Sequence, residues 1–403
     1  MRDGWEDVAL GTLVTKRDNF TPVIADKHYK VVGVQRSGWG LVDREPVRGD
    51  SMKFTKLMEL EEDDLVYRVI TAFEAPSTVV GSAFAGTFVT PQTFPVFQIQ
   101  ASRMLPAYMR LLTTSPVFHD AMAERCTGTV LRRKTISVGA FRSIPIVLPP
   151  LATQHRIVDL IGALDEAIEA ADGVSDACST LLSNVLDAHV SDDSLPLKDL
   201  ASVKSGASWG AADGSSLPGE GFRPVLTIVN TRPGGAVELT ERTYVRGLSA
   251  RAATLTADSL VMIRTNGNRG RIGNIYRTPA EVVGDSVSAF QFVIEPRDVR
   301  LRDYLYWVMQ APTLQSAISS AASGSTGLGN IAAGWLNEMN IPWSEHVERE
   351  AFIGLCNAAG SAVESANEYA ACVRSTRTNF LTALLSGEHE IPSSYDKHLG
   401  AIA

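Results

Sequence analysis

The sequence predicts an α+β protein in which two pseudo-symmetric domains are separated by two long helices that pair as an antiparallel coiled coil. Two observations lead to this fold class. Similar segments recur with a period of roughly 195 residues, and each copy of the repeat is followed by a long stretch without turn residues. The expected order is a first domain (1–150), a central helix (151–190), a second domain (191–344), a distal helix (345–390) and a C-terminal tail (391–403).

The repeat is visible as landmarks that keep almost one offset along the chain. Leu65-Val66 matches Leu260-Val261, the run 94–99 matches 289–294, and Ser115-Pro116 matches Ala311-Pro312. Each half begins with short β-type runs between turn residues. A helical stretch follows (around 108–122 and 304–318), then a Gly/Ser-rich loop, a last β run and a long helix. This shared order predicts that the two halves fold alike.

Each long stretch carries apolar residues in alternating steps of four and three, which is the spacing of a coiled-coil seam. The first seam runs from Ile157 to His189 and the second from Phe352 to Leu384. Because neither helix has an evident partner in its own half, we expect the two helices to pair with each other. At about 1.5 Å per residue the rod is roughly 50 Å long, comparable to about 15 base pairs of DNA. Periodicity alone fits a coiled-coil dimerisation hairpin equally well.

The charge is unevenly distributed along the chain. The formal net charge is −8, but residues 151–190 carry −6 and residues 345–403 carry −4, which leaves the two domains at +2 and 0. The overall acidity therefore does not exclude a nucleic-acid partner. The four cysteines show neither metal-ligand nor disulfide spacing. The sequence lacks an apolar run of about 18 residues, which a membrane-spanning helix needs, and its N-terminus is polar. The expected location is therefore the cytoplasm, with no membrane partner.

The junction between the first domain and its helix resembles a motif of a known family. The run Ile144-Pro145-Ile146-Val147-Leu148-Pro149-Pro150-Leu151-Ala152-Thr153-Gln154-His155-Arg156-Ile157 closely resembles the I-P-x-P-P-L-x-x-Q-x-x-I motif of type I restriction-modification specificity subunits. The second junction is a weakened form, with Ile341-Pro342-Trp343-Ser344 in place of the double proline and Arg349 in place of the glutamine. This weakening leaves open how the distal helix starts.

Membership of that family would imply both a function and a set of partners. Each half would be a target-recognition domain that reads one part of a split double-stranded DNA target, and the helices would fix the gap. The helices and junctions would dock two methyltransferase (modification) subunits, and through them restriction/translocase subunits. The specificity subunit itself would be non-catalytic and would need no cofactor.

Two other classes of function were weighed against this one. A stand-alone DNA-modifying enzyme is disfavoured because the sequence has no phosphate-binding loop, no H-E-x-x-H zinc motif, no N-P-P-Y-like tetrapeptide and no Glu-x-Lys. The seven histidines show no ligand spacing. A coiled-coil scaffold without DNA affinity stays open, since the sequence pattern of the helices does not decide between the two.

The candidate DNA contacts lie in two basic windows without acids (125–142 and 261–277) and in loops near strand ends. Arginine and asparagine can bond guanine and adenine edges, and lysine can neutralise phosphates. In the first domain the candidates are Lys16, Arg17, Arg36, Lys53, Lys56, Arg68, Arg125, Arg132, Arg133, Lys134 and Arg142. In the second domain they are Lys204, Ser208, Trp209, Arg223, Arg264, Asn266, Asn268, Arg269, Arg271, Arg277, Ser325 and Thr326. Exposed loops often carry solvated side chains, so each of these residues could instead be a solvated loop residue. Trp209 could equally be a packing residue.

The two basic windows are not counterparts of each other. The segment equivalent to the first window, around 322–330, is uncharged, and the segment equivalent to the second, 69–82, contains Glu74 and no basic residue. We therefore expect the two domains to read DNA with different loops, as two unlike half-sites require.

Overall fold

The computed structural model describes residues 4–190, 193–323 and 327–397. The chain divides into two compact units: the first joins Met1–Ala171 with Tyr369–Ala403, and the second is Asp172–Glu368. Both long helices therefore contribute one part to each unit. Within the described residues no helix is long and apolar enough to cross a membrane.

The first unit is built on a four-stranded antiparallel sheet with the order β10-β9-β12-β2. Its strands are β1 Glu6–Ala9, β2 Val14–Lys16, β3 Phe20–Pro22, β4 His28–Tyr29, β5 Gly33–Val34, β6 Leu41–Val42, β7 Val47–Arg48, β8 Lys56–Glu59, β9 Asp64–Tyr67, β10 Ser77–Val79, β11 Phe88–Val89, β12 Val96–Ile99 and β13 Pro145–Leu148; its short helices are α1 Pro106–Thr113, α2 Pro116–Glu124 and α3 Val138–Arg142. Strand β1 pairs with β13 immediately before the first long helix, α4 Leu151–Ala188.

Both faces of this sheet are buried. Side chains alternate along a strand, so Leu65 and Tyr67 of β9 join a core with the short helices, while Val66 joins a second core on the other face. The first core includes Ile157 and Ile161 of α4. The sheet is thus the layer that connects the start of the long helix to the rest of the domain.

The second unit has the same plan, with a main sheet in the order β15-β23-β19-β21. Its elements are β14 Ser194–Pro196, α5 Leu197–Leu200, β15 Ala201–Ser205, β16 Gly214–Ser215, β17 Phe222–Leu226, β18 Thr243–Arg246, β19 Leu260–Ile263, β20 Thr265–Asn266, β21 Ile275–Arg277, β22 Ser286–Val287, β23 Gln291–Pro296, α6 Arg302–Val308, α7 Pro312–Ala321, β24 Gly329–Asn330, α8 Ala333–Asn337, β25 Asn340–Pro342 and α9 His346–Leu385. A further sheet, β16-β18-β17-β22, distinguishes this unit from the first.

The matching order of strands and helices confirms the internal repeat. One detail differs from the expectation, because each helical stretch is two helices rather than one. The breaks fall at Ser115-Pro116 and Ala311-Pro312, where both prolines occupy the first turn of the second helix. Proline has no N–H to continue a helix and forces the preceding residue out of helical geometry. Accordingly, Ser115 and Ala311 both have ψ angles near 130–142°.

The long helices run antiparallel within each unit. In the first unit Asp165 of α4 pairs with Arg377 of α9, and Ile157, closer to the start of α4, shares a core with Leu384, closer to the end of α9. In the second unit Ser175 donates to Oδ1 of Asn367 over 2.7 Å. Most positions of the predicted seam are buried or half-buried. Phe380 is the exception at 44% exposure, because Leu381 takes the buried position beside it.

At both junctions between a domain and its long helix, a side chain in the first turn of the helix donates to the carbonyl five residues upstream, although the two sequences differ. Gln154 is fully buried, accepts from the Leu105 N–H and donates to the carbonyls of Arg103 and Pro149, each over 2.8 Å. Arg349 donates to the Ser344 carbonyl, which lies five residues upstream just as Pro149 does for Gln154, and its guanidinium stacks 4.0 Å from the Trp343 ring. The weakened second motif therefore still starts the distal helix, at His346.

The distal helix ends at Leu385, five residues before the predicted end. Gly387 has a φ of 69°, a left-handed conformation that terminates helices. The chain then returns to the start of α4 in the same unit. Arg156 donates to both carboxylate oxygens of Asp396, and the Tyr395 hydroxyl donates to Asp159 over 2.8 Å.

The Gln154 junction gives the first prediction. Replacing Gln154 with Ala leaves one buried N–H and two carbonyls without their partner, so Gln154→Ala is expected to lower the free energy of unfolding by about 2–4 kcal/mol. Urea unfolding followed by circular dichroism measures the change. The adjacent exposed His155 supplies the control variant His155→Ala, and equal midpoints for the two variants would contradict the proposed role of the junction.

Candidate nucleic-acid interface

In the first unit, two parallel strands bring several predicted contacts to one edge of the main sheet. Strands β2 and β9 both pair antiparallel with β12, with Lys16 and Leu65 opposite Phe97, so their C-terminal ends lie at the same edge. The loop after β9 meets the first basic window there. Ile70 forms a β-bridge with Thr135, and the Ile136 N–H donates to the Val69 carbonyl over 3.1 Å.

The second unit repeats this arrangement with its own loops. Strands β15 and β19 both pair antiparallel with β23, with Ser205 and Met262 opposite Phe292. Beyond β19, Thr265 pairs with Asn330 in the β20–β24 ladder, and the Ile331 N–H donates to the Arg264 carbonyl over 3.1 Å. These backbone contacts repeat those of the first unit at an offset of 195 residues. We call each such pair of loops the loop pair of its unit: 68–72 with 125–136, and 264–273 with 322–331.

The loop pairs explain why the two basic windows lie in segments of the repeat that do not correspond. The two basic windows are not equivalent segments, yet each belongs to the loop pair of its unit. In the first unit the basic window is on the second loop, at 125–134, and the one cation of the first loop, Arg68, is paired with Glu74. In the second unit the basic window is on the first loop, at 264–271. Positive charge is therefore placed at the corresponding sheet edge of both units, from different loops.

Arg17 is held inside the first unit rather than presented to solvent. Its guanidinium donates to Asp64 over 2.6 Å and to both carboxylate oxygens of Glu61, with 13% of its side chain exposed and 1% of that of Asp64. Burial raises the pKa of the Asp64 carboxyl, and the hydrogen bonds from the Glu61 backbone and from Arg17 oppose that rise. Arg17 therefore stabilises a buried carboxylate, and its guanidinium is engaged within the first unit.

Several other predicted residues of the first unit are also engaged within the protein. Arg68 pairs with Glu74 and donates to the Ile70 carbonyl. The remaining engaged side chains and their partners are Lys16 with Asp18, Lys56 over the ring of Phe20, Arg125 with the Ala121 carbonyl, and Arg142 with the Gly11 carbonyl.

Three further candidates of the first unit, Arg36, Lys53 and Arg133, are exposed, and Lys134 is half-buried. The backbone of Arg132 lies in a short 3-10 turn, Leu131–Arg133, and its side chain is outside the described part. The Arg36 guanidinium lies 4.6 Å from the ring of Trp39, which is itself 61% exposed. An exposed indole with a stacked guanidinium is suited to DNA contact, and sequence reasoning passed over Trp39 because it lies outside the basic windows.

In the second unit most predicted arginines shape the loops rather than extend from them. Arg264 stacks on Phe292 and donates to Ser205, Asn330 and the Ile331 carbonyl. The other internal contacts are Arg271 with the Thr231 carbonyl, Arg277 with Asp303 and the rings of Tyr306 and Trp307, Lys204 with Glu295, and Arg223 with Ser249, Thr254 and Ser286.

The tip of the second basic window is held by short asparagine turns. The Asn266 side chain accepts from the Asn268 N–H, and the Asn268 side chain accepts from the Gly270 N–H. Ser208, Asn268 and Arg269 are exposed and Asn266 and Trp209 are half-buried. Ser325 and Thr326 lie outside the described residues. In the part of the chain that the structure describes, no group of three His, Cys, Asp or Glu side chains is placed to hold a metal ion.

Two exposed arginines of the second unit, Arg246 and Arg251, were missed by the sequence reasoning. They lie in a segment that also carries acids, Glu238 and Glu241, so a search for windows without acids does not find them. The signal that remained in the sequence was Gly247, which directly follows Arg246, and a single glycine is a weak signal.

No family model matches this sequence, and no curated protein matches it. Solved structures do match its fold. A chain from work on the structural basis of complex assembly and conformational transition of the type I R-M system is 15% identical, with a TM-score of 0.63 over 95% of this chain and 98% of that one. The HsdS subunit from Thermoanaerobacter tengcongensis is 15% identical, with a TM-score of 0.50 over 96% and 98%. The S subunit of the type I system from M. genitalium is 12% identical, with a TM-score of 0.53 over 94% and 96%. The chain has the α+β fold of these subunits along almost its whole length.

The buried ion pair at the sheet edge of the first unit gives the second prediction. Arg17→Ala leaves Asp64 charged and buried without its partner, so we expect a loss of about 3 kcal/mol in the free energy of unfolding. Lys16→Ala removes a neighbouring exposed pair and is expected to change it by less than about 1 kcal/mol. Urea unfolding of both variants measures the difference. A loss no larger for Arg17→Ala than for Lys16→Ala would refute the structural role.

Proposed function

We propose that this protein is the specificity subunit of a type I restriction-modification system, and that each domain reads one half of a split target in double-stranded DNA. The observation that carries the proposal is the duplicated loop pair, which places cations at corresponding sheet edges of the two units. Two domains that share one arrangement of strands and loops but carry their cations on different loops would contact two unlike half-sites. The fold shared with the S subunits of such systems supports the assignment.

The long helices are proposed to set the gap between the half-sites and to dock two methyltransferase subunits. They have 38 and 40 residues, which corresponds to roughly 57–60 Å at about 1.5 Å per residue. Through the methyltransferase subunits the complex would recruit restriction/translocase subunits. One of the matching structures concerns the assembly of a type I R-M complex, and that precedent supports partners of this kind.

The subunit is proposed to be non-catalytic, cytoplasmic and without a cofactor of its own. The methyltransferase and nuclease motifs missing from the sequence support this assignment. With S-adenosylmethionine and DNA, the purified protein alone is expected to show neither methyl transfer nor cleavage. Either activity would instead support a stand-alone enzyme.

Selection from random DNA duplexes, with the protein bound to its methyltransferase partner, tests the proposal directly. The expected product is a motif of two short conserved parts separated by a gap of fixed length, with affinity that falls as the salt concentration rises. Recovery of no motif would contradict the proposal and favour a coiled-coil scaffold without sequence-specific DNA binding.

The one-domain, one-half-site arrangement gives the third prediction. Replacing Arg132, Arg133 and Lys134 with Ala removes cations from the loop pair of the first unit only, so base preference is expected to weaken in one half-site and persist in the other. The measurement is the same selection, repeated with the variant. A matched control is Arg103→Ala with Arg110→Ala, whose partners Glu6 and Asp63 lie away from the loop pair. Equal weakening at both half-sites would refute the arrangement.

A further inference from the structure

A polar cavity of about 310 Å³ lies in the second unit, outside its loop pair. Its lining brings together the segment after β15 and the loop after β18. The side chains that the argument uses are Ser208, Trp209 and Asp213 from the first segment and Arg246, Ser249 and Arg251 from the second. An indole, a carboxylate and two guanidinium groups surround this one space. The sequence pattern singled out Ser208 and Trp209 but not Asp213, Arg246 or Arg251, and the fold comparison assigns a role to none of them.

The cavity lies at the same sheet edge as the loop pair. Strands β15 and β19 end together, and the Arg264 guanidinium bonds Ser205 at the end of β15 over 3.3 Å. Directly after β15, the backbone of Gly206 lies so close to β22 that an added Cβ would be 2.1 Å from the Ser288 carbonyl oxygen. The Ala207 N–H donates to the Val287 carbonyl over 2.8 Å, and the Ala289 N–H donates to the Ala207 carbonyl over 2.7 Å. The segment that enters the cavity is therefore held at its start, next to the strand ends that carry the loop pair.

Arg223 holds the other wall in place. Its guanidinium donates to the Ser249 carbonyl over 3.2 Å and to the Ser286 hydroxyl over 3.2 Å, which ties the loop after β18 to β22. Gly247, with a φ of 72°, provides the turn at the start of this loop. Arg223 is also one of the predicted DNA contacts, and in this structure its bonds position the loop after β18.

The two guanidinium groups of the cavity are available to a ligand. Both arginines are exposed, and among the described residues no carboxylate lies within ion-pair distance of either one. Arg246 is the last residue of β18, so its backbone is held by a strand, and its guanidinium lies 5.5 Å from the Phe222 ring. Arg251 lies on the loop itself.

We propose that this cavity reads a guanine–cytosine pair in the half-site of the second domain, with Arg246 on the guanine, Asp213 on the cytosine and Arg251 on a phosphate. The proposal rests on the proposed function above. A guanidinium on a rigid strand can donate two bonds to O6 and N7 of guanine, and a nearby carboxylate accepts from N4 of the paired cytosine. Trp209 lines the same cavity and would limit where the base pair can lie.

The test is duplex selection with the intact protein and its methyltransferase partner, followed by competition binding with the selected site. The duplexes carry each of the four base pairs, one position at a time. Arg246→Gln is expected to lower the preference for guanine–cytosine at one position of one half-site by about 5–100-fold and to leave the other half-site unchanged. Asp213→Asn is expected to weaken preference at that same position. Arg251→Gln is expected to weaken all duplexes equally and to reduce the salt dependence of binding.

The outcomes separate this proposal from the proposed function. If the unaltered protein selects no split motif, the proposed function fails and this proposal fails with it. If a split motif is selected but Arg246→Gln keeps full preference at every position, or weakens all duplexes equally, only the role of the cavity is refuted. A thermal unfolding midpoint equal to that of the unaltered protein shows that a variant is folded. Arg246→Lys keeps the charge but loses the paired donors, so it should show the same loss of preference as Arg246→Gln.

Discussion

Each long helix is fixed to its domain by one polar side chain in its first turn, which returns to the carbonyl five residues upstream. In the first unit the side chain is Gln154 and in the second it is Arg349. The bond joins the first turn of the helix to the residues that directly follow the last strand of the domain, so the place where the helix leaves the domain depends on it. An amide and a guanidinium can both make it because each presents an N–H to the equivalent backbone oxygen. The second junction adds a stack of the Arg349 guanidinium on Trp343.

The same separation between a fixed frame and variable side chains recurs at the sheet edges. The frame consists of backbone contacts, such as the bonds from Ile136 to Val69 and from Ile331 to Arg264, together with internal ion pairs such as Arg17 with Asp64. The side chains outside the frame differ between the units. Trp39 with Arg36 stands out in the first unit, and the cavity with Trp209, Arg246 and Arg251 in the second. The fold comparison therefore describes the frame, and the chemistry of each unit has to be argued from its own side chains.

Sequence reasoning predicted the fold well because periodic patterns indicate which residues are buried. The repeat, the two long helices and their seam follow from apolar spacing, and the structure confirms them, with Phe380 as an exception where the buried position moves to Leu381. The end of the distal helix was wrong because one glycine, Gly387, ends it early. Individual site residues were harder to predict, because the sequence does not show whether an arginine bonds a carbonyl inside the protein or extends into solvent. Arg264 and Arg223 both bond carbonyls inside the protein. Only the partner in space distinguishes the two cases.

The backbone character of the loop-pair contacts has an evolutionary consequence. A bond from one main-chain N–H to another residue's carbonyl survives nearly any substitution at either position, so mutations in these loops change the surface without unfolding the domain. The uncharged second loop of the second unit and the basic second loop of the first unit show how far such divergence has gone on one frame. Duplicated domains of this kind can diverge one loop at a time, while selection for a folded protein acts mainly on the sheet, the ion pairs beneath it and the helix starts.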